Sequence, residues 1–191
     1  VYTLEAQMAG WLNTGSEALV LGIIYIVGAL AGPFALVYGA AWLSRQVTMR
    51  KTTLNRLVMR YAYGFVPVGF AIWFAHYLFH FLTGAMTIVP ALQTFFAQTL
   101  AWPLLGEPNW ALAHYFVPAV STIQILQSII TYGGLLAALA LTLNSARKAH
   151  KNRRTLLLEA LPWLVLLVAL TVASGATFLL PMEMRGSALG G

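Results

Sequence analysis

Two histidines stand one helical turn apart in one of the most apolar parts of the sequence. His76 and His80 lie in the segment FAIWFAHYLFHFLT, and His114 stands at the start of the next long apolar segment. Residues four apart share one face of a helix, so His76 and His80 should point the same way. Neutral imidazole binds haem iron, copper or zinc. Because ionisable groups are costly to hold in lipid, these three residues are the first candidates for a site.

The three histidines are compatible with several cofactors. Bis-histidine haem b requires an imidazole from each of two facing helices, which His76 or His80 together with His114 would supply, and Gly69 on the same face leaves room for a porphyrin edge. A quinone requires one or two hydrogen-bonding side chains in an aromatic cleft, and His76, Trp73 and His114 are such residues. Copper or another metal could bind the same histidines. Alternatively, the histidines are structural or interfacial and form hydrogen bonds to their neighbours.

The composition predicts a membrane protein. Of the 191 residues, 60% are hydrophobic and 8% are charged, which is too apolar for a water-soluble core of this size. The sequence has no cysteine, so disulfides, thiolate metal sites and an iron–sulfur cluster on this chain are excluded. Met86, Met182 and Met184 are expected on the same side of the membrane as the histidines, which leaves copper handling by His and Met as a further alternative.

Four apolar segments are each long enough to cross about 30 Å of hydrocarbon. We expect membrane spans at about residues 17–44, 61–83, 114–145 and 155–180. The connection between the second and third spans contains prolines and amides, and residues 90–100 within it predict a helix lying in the membrane interface. The sequence therefore predicts an all-α bundle of four transmembrane helices that forms a single domain.

Two basic segments predict the orientation of these spans. Residues 45–60 contain five cations, residues 147–154 read RKAHKNRR, and neither segment contains an acid. Cations favour the cytoplasmic side, so both segments should lie there against anionic lipid headgroups. Both termini and all three candidate histidines then fall on the outer side. This clustering accounts for the net charge of +6 without any binding of nucleic acid.

A polar stripe marks the third span. Its histidine, hydroxyl and amide residues fall within one arc of a helical wheel, namely His114, Ser121, Gln124, Gln127, Ser128 and Thr131. Such a stripe lines a cofactor cleft or, alternatively, forms hydrogen bonds to other helices of the bundle or to another subunit.

Acidic residues are scarce in the apolar segments. Glu17 and Glu159 stand near the starts of the first and fourth spans, and the absence of an acid in the middle of a span argues against a proton or cation relay. We expect Glu159 to be a charge at a helix N-terminus or a partner of Arg153 and Arg154. His150 is expected to be part of a solvated positive loop.

Two stretches of the sequence carry a family resemblance. Residues 60–84, RYAYGFVPVGFAIWFAHYLFHFLTG, and residues 180–186, LPMEMRG, resemble the membrane part of multi-span bacterial polyferredoxin proteins. Those proteins are integral membrane electron carriers with a cytoplasmic 4Fe-4S domain, so the resemblance implies redox work at a bacterial inner membrane. The cysteine motifs of that family are absent, and any clusters would lie on another chain or on another part of this one.

Two kinds of function remain open. The first is a subunit of a redox complex that anchors other membrane subunits and carries electrons through a haem b or a quinone near the outer face. The second is a non-catalytic scaffold subunit of a larger membrane complex. No catalytic residue is predicted, and the cofactor-binding candidates are His76, His80, His114, Trp73 and Gly69.

Overall fold

A computed structural model describes residues 2–13, 16–49, 51–102, 104–115 and 117–178. The LPMEMRG motif, with Met182 and Met184, lies outside the described residues, and so does Arg50 of the first basic segment.

The described residues form helices and contain no β-strand, which confirms the all-α prediction. The eight α-helices are α1 (Tyr2–Leu12), α2 (Glu17–Ile26), α3 (Gly32–Thr48), α4 (Leu54–Tyr61), α5 (Phe65–Gly84), α6 (Ile88–Thr94), α7 (Val120–Ala149) and α8 (Arg153–Phe178). Short π-helical turns occupy Val27–Ala31 and Phe95–Thr99, and 3-10 turns occupy Ala62–Gly64, Ala85–Thr87 and Trp110–His114.

Within the described residues, four helical segments are long and apolar enough to span a membrane. They are Ala18–Thr48, Leu54–Thr99, Val120–Ala149 and Arg153–Phe178. The predicted number of membrane helices is therefore confirmed by length and composition. Large apolar side chains on these helices are exposed, for example Phe70 (62%), Leu136 (68%) and Val172 (58%), as expected for surfaces that face lipid.

The bounds of the second and third segments differ from the predicted ones. The second begins within the basic stretch at Leu54 and stays helical to Thr99. Within it, α6 (Ile88–Thr94) follows the 3-10 turn Ala85–Thr87 and covers part of residues 90–100. That these residues lie in the membrane interface stays a prediction. The third begins at Val120, six residues after His114. Pro118 explains this later start, because the residue before a proline is disfavoured in the α conformation.

Prolines also explain the irregular turns inside the other helical segments. The N–H that proline lacks would have bonded to the carbonyl four residues earlier. For Pro33 that carbonyl belongs to Ala29, inside the π turn Val27–Ala31, and for Pro67 it belongs to Tyr63, inside the 3-10 turn Ala62–Gly64. In each case the backbone changes its hydrogen-bonding pattern where the regular bond is lost.

The chain divides into two compact units, which are described separately. The first unit comprises Val1–Tyr61 and Ser145–Leu166. In it, Ala41 and Ala160 are fully buried, and the Ser44 hydroxyl donates a 2.7 Å hydrogen bond to the backbone carbonyl of Glu159. These contacts join α3 to α8.

The second unit comprises Ala62–Asn144 and the chain from Leu167 onward. Helices α5 and α7 pack closely in it, because a Cβ atom at Gly134 would overlap the side chain of Ala71 and lie 2.9 Å from the carbonyl oxygen of Pro67. The buried Gln127 amide donates a 3.1 Å hydrogen bond to the carbonyl of Ala75. Small residues and interhelical hydrogen bonds of this kind are typical of packed membrane helices.

Candidate functional site

Three of the five predicted cofactor-binding residues line one cleft in the second unit. This cleft, here called the Trp73–His76 cleft, has a volume of about 410 Å³. Successive turns of α5 form one side of the cleft, and the end of α8 forms the other. The lining residues are Gly69, Ile72, Trp73, His76, Ser174, Thr177 and Phe178. Its wall is mostly apolar and aromatic, and its volume falls in the range usual for small-molecule sites.

The spacing of residues along α5 explains this arrangement. Gly69, Trp73 and His76 are separated by four and three residues, so they fall on one face of the helix. A Cβ atom at Gly69 would meet no other atom within 4 Å, which shows that the glycine borders open space. The cleft therefore exists partly because this position has no side chain.

The polar groups of the residues that line the Trp73–His76 cleft are the His76 imidazole, the Trp73 indole N–H and the hydroxyls of Ser174 and Thr177. The Ser174 hydroxyl donates a 2.9 Å hydrogen bond to the carbonyl of Leu170, and the Thr177 hydroxyl donates one of 2.9 Å to the carbonyl of Ala173. A carbonyl can only accept, so both hydroxyl protons are engaged and each oxygen keeps only accepting capacity. The His76 imidazole can both donate and accept.

His80 lies next to His76 but outside the cleft. The two imidazole rings have centroids 4.7 Å apart and meet edge to face at 75°, as predicted for one shared helix face. The Trp73 and Tyr77 rings are 4.8 Å apart on the same exposed side of α5. Both histidines are exposed, and of the described histidines only His76 lines the cleft.

His114 occupies the end of the 3-10 turn that precedes α7, and its side chain is exposed. Within the described ranges, no three His, Cys, Asp or Glu side chains come together as a group that could hold a metal ion. The participation of His80 and His114 in a cofactor or metal site stays a prediction.

The polar stripe of α7 divides between buried and exposed positions. Gln127 and Thr131 are buried, whereas Ser121 and Ser128 are exposed. Part of the stripe faces a second, smaller space of about 250 Å³ in the same unit, here called the hydroxyl cleft. It is lined by Gln124, Ser128, Thr131, Tyr132, Thr171, Val172, Gly175, Ala176 and Phe178.

The first unit contains a buried charged cluster, here called the Glu159 cluster. The Glu159 carboxylate is 1% exposed and is paired with the guanidinium of Arg60. The Tyr61 hydroxyl donates a 3.0 Å hydrogen bond to Oε1 of Glu159, and Nε2 of His150 lies 2.9 Å from Oε2. The Tyr61 ring also packs on Trp163, with centroids 5.0 Å apart. Both carboxylate oxygens therefore have partners, as a buried charge requires.

The Glu159 cluster corrects two expectations from the sequence. Glu159 is buried and pairs with Arg60 and His150, whereas the sequence predicted a charge at a helix N-terminus or a partner of Arg153 and Arg154. His150 is 8% exposed and is not a solvated loop residue. The reason is that α8 begins at Arg153, so Glu159 lies well inside the helix on the side that packs within its unit.

A signal for this cluster was present in the sequence. Glu159 stands in the apolar sequence LLLEALPWL, downstream of RKAHKNRR, and only five acids accompany eleven cations in the whole chain. An acid within an apolar helix needs a buried partner. The identity of that partner could not be read from spacing, because Arg60 is 99 residues away in the sequence.

Comparisons with known proteins assign this chain to no family, so its class is defined by its own sequence and fold. No protein-family model, curated protein or solved structure matches the chain. What the sequence and fold define is a multi-pass, all-α protein with four helices suited to span a membrane, a cleft that contains a histidine, and a buried ionic cluster.

Proposed function

We propose that this protein is an integral membrane subunit of a redox complex and that its Trp73–His76 cleft holds a quinone. One observation carries the proposal. The cleft combines an imidazole, an indole and acceptor hydroxyls in an otherwise apolar space of about 410 Å³ within a segment that can span a membrane. A quinone head is a planar apolar ring with oxygens at its edge, and a site for it needs this mixture of apolar wall and few polar groups.

The residues of the cleft have distinct roles in this proposal. The His76 imidazole donates a hydrogen bond to a quinone oxygen, and it can exchange a proton with that oxygen when the quinone is reduced or reoxidised. The Trp73 indole and the Phe178 ring supply planar apolar surface for the quinone ring. The absent side chain of Gly69 leaves space for the ring edge.

The donor set favours quinone over haem b as the occupant. Bis-histidine haem requires an axial imidazole from each of two sides. His76 is the one described histidine that lines the cleft, and the groups contributed by α8 are two hydroxyls and a phenyl ring. A hydroxyl engaged with its own helix is a poor substitute for a second imidazole.

The basic segments support an orientation with the cleft near the outer face. Lys51 precedes the second helical segment, Arg56 lies in its first turn, and Arg147 and Lys148 lie in the last turn of α7. Cations favour the cytoplasmic side, so α5 and α7 reach the outer side at the ends remote from these residues. Both termini would then be outside, and a bacterial inner membrane is the location that fits. Iron–sulfur clusters, if the complex has them, belong to partner subunits.

Binding of a short-chain quinone to the purified protein in lipid nanodiscs tests the proposal. We expect saturable binding by the wild type and a loss of affinity of about tenfold in His76→Ala, the size of one good hydrogen bond to an imidazole. His80→Ala is the matched control, because this exposed imidazole lies one turn away and outside the cleft; its affinity should stay within about twofold of wild type.

Two results would contradict the proposal. One is the absence of saturable quinone binding by the wild type. The other is an equal loss of affinity in His76→Ala and His80→Ala, because the cleft would then not be the site. A Soret band in the purified protein, lost in both variants, would point to haem.

A scaffold subunit is the second candidate function. It is favoured by Ser121, a polar residue of the α7 stripe that is exposed and lines neither cleft. In a membrane such a group is expected to bond to another helix. Co-purification of other subunits that is lost in Ser121→Leu, with quinone binding absent throughout, would support this function instead.

A further inference from the structure

The connection between the second and third membrane segments contains an apolar loop that lines neither cleft. Residues 100–115, here called the Gln93 loop, begin directly after the helical segment that ends at Thr99 and stop four residues before α7. We propose that the Gln93 loop is a lipid-binding surface, fixed in shape by Gln93, that inserts its large apolar side chains into the membrane interface. The proposal is independent of the quinone site.

One buried amide holds the Gln93 loop in place. Gln93 of α6 is 8% exposed, and its Nε2 donates a 3.0 Å hydrogen bond to the carbonyl of Leu105. Its Oε1 accepts a hydrogen bond of 3.0 Å from the N–H of Asn109. Both ends of the amide are therefore used, as a buried polar group requires. The middle of the loop is held against α6 and does not extend away from it.

The surface that the Gln93 loop presents is apolar and aromatic. Four of its large side chains, here called the apolar rim, are 45–60% exposed: Trp102, Leu104, Leu105 and Trp110. Contact of such groups with water is unfavourable, and a set of them in one short loop indicates an interaction surface.

The charge of the loop favours an uncharged partner. Glu107 is the one ionisable residue between residues 95 and 113 of the sequence. The loop therefore lacks the charge pattern by which an acidic or a basic protein surface would recognise it. Indole rings are enriched at membrane interfaces, because they combine a large apolar surface with one polar N–H. Glu107 limits the insertion to the interface, since a carboxylate is costly in hydrocarbon.

The backbone of the loop is also suited to lipid contact. Three N–H groups near its start donate to backbone carbonyls at 2.7–3.2 Å, namely those of Leu100, Trp102 and Leu104. Pro103 and Pro108 have no N–H. Backbone groups that are not hydrogen-bonded are costly in lipid, so a loop with fewer of them can lie closer to the hydrocarbon.

The loop is attached to a helix whose exposed face is expected to contact lipid. Helix α6 belongs to the segment Leu54–Thr99, which is long and apolar enough to span a membrane. Ile88, Leu92 and Phe95 of this segment are exposed and are four and three residues apart, so they share one face. Because Gln93 ties Leu105 to the same helix, the loop lies beside a surface suited to lipid, and a membrane interface can contact both.

Spin labels at single cysteines test the proposal, because the chain has no cysteine of its own. Leu104→Cys in the apolar rim and its control Glu107→Cys are labelled in purified protein in phosphatidylcholine nanodiscs. Power saturation compares collisions with oxygen, which partitions into lipid, and with a water-soluble nickel chelate. We expect the ratio of oxygen to nickel collisions to be at least about fivefold higher at residue 104 than at residue 107, because the first label should lie about 5–10 Å deep and the second in water.

A second measurement tests the role of Gln93. The substitution Gln93→Leu removes the hydrogen bonds to Leu105 and Asn109, so the rotational correlation time of the label at residue 104 should fall by at least about twofold. Gln98→Leu is the matched control, because Gln98 is an exposed amide in the same helical segment, and it should leave the correlation time unchanged.

Three results would overturn the proposal. Equal collision ratios at residues 104 and 107 would show that the apolar rim lies in water. Protection of the label at residue 104 from both reagents would show that protein, such as a second copy of the chain, covers the rim. An unchanged correlation time in Gln93→Leu would show that Gln93 does not fix the loop.

Discussion

The substitution Glu159→Gln should destabilise the protein more than the same change at the exposed acid Glu107. Glu159 is 1% exposed, and its carboxylate contacts Arg60, Tyr61 and His150. Glutamine keeps the size and one acceptor oxygen but removes the negative charge. The cationic side of the Glu159 cluster then remains without its counter-charge.

The expected loss of stability depends on how well water can solvate the charged group that loses its partner. Removing one partner of a buried ion pair costs about 3–5 kcal/mol. The Arg60 side chain is 24% exposed, so water relieves part of the cost, and the Tyr61 hydroxyl can still donate to the glutamine oxygen. We therefore expect Glu159→Gln to lower the free energy of unfolding by about 2–3 kcal/mol. Arg60→Gln should cost more, about 3–4 kcal/mol, because the carboxylate that it strands is almost fully buried.

Unfolding in mixed micelles by increasing amounts of sodium dodecyl sulphate, followed by circular dichroism, measures these free energies. The double variant Arg60→Gln/Glu159→Gln should be less destabilised than the sum of the single variants by about 1–2 kcal/mol, since the second change removes the charge that the first one stranded. Glu107→Gln is the control. This acid is exposed and should change stability by less than about 0.5 kcal/mol.

Two outcomes would refute the reasoning about the cluster. The first is an unfolding free energy of Glu159→Gln within about 0.5 kcal/mol of wild type, which is the range of ordinary surface substitutions. The second is strict additivity in the double variant, because groups in contact should be coupled.

Two further predictions concern one packing contact and one hydrogen bond. Gly134→Ala should lower the free energy of unfolding by about 1–3 kcal/mol, because the added Cβ would overlap Ala71. Gly133 borders open space, so Gly133→Ala should be neutral or slightly stabilising. Equal effects of the two substitutions in the same unfolding assay would contradict the close packing of α5 and α7. Tyr61→Phe should cost about 1.5 kcal/mol, since it removes the hydrogen bond to the Glu159 carboxylate and keeps the ring, and a neutral result would show that this bond contributes nothing.

The sequence was sufficient to predict the helical class and the number of membrane helices. Long apolar runs need a surrounding of lipid and satisfy their own backbone only as helices, so composition alone decides this level of structure. The ends of the helices were predicted less well. The third span could not begin at His114, because Pro118 delays the start of α7 to Val120. Helix α4 forms inside a basic stretch because Leu57 and Tyr61 supply one buried face.

Only the part of the candidate site that lies on one helix could be predicted from the sequence. Gly69, Trp73 and His76 belong to one helix, and helical periodicity was enough to place them together. The contribution of Ser174 and Thr177 from α8 depends on which helices pack against each other, and no spacing along the chain contains that information. Pairing of residues far apart in the sequence is likewise why the partners of Glu159 were missed.

Photoaffinity labelling with an azido-quinone, mapped by peptide mass spectrometry, tests the central claim most directly. Labelled peptides are expected to come from α5 around Trp73 and His76 and from α8 around Ser174 and Phe178, with labelling suppressed by an excess of unmodified quinone and reduced in His76→Ala. Labelling that is spread over the exposed faces of all four membrane helices, and that unmodified quinone does not suppress, would contradict the assignment of the Trp73–His76 cleft as a quinone site.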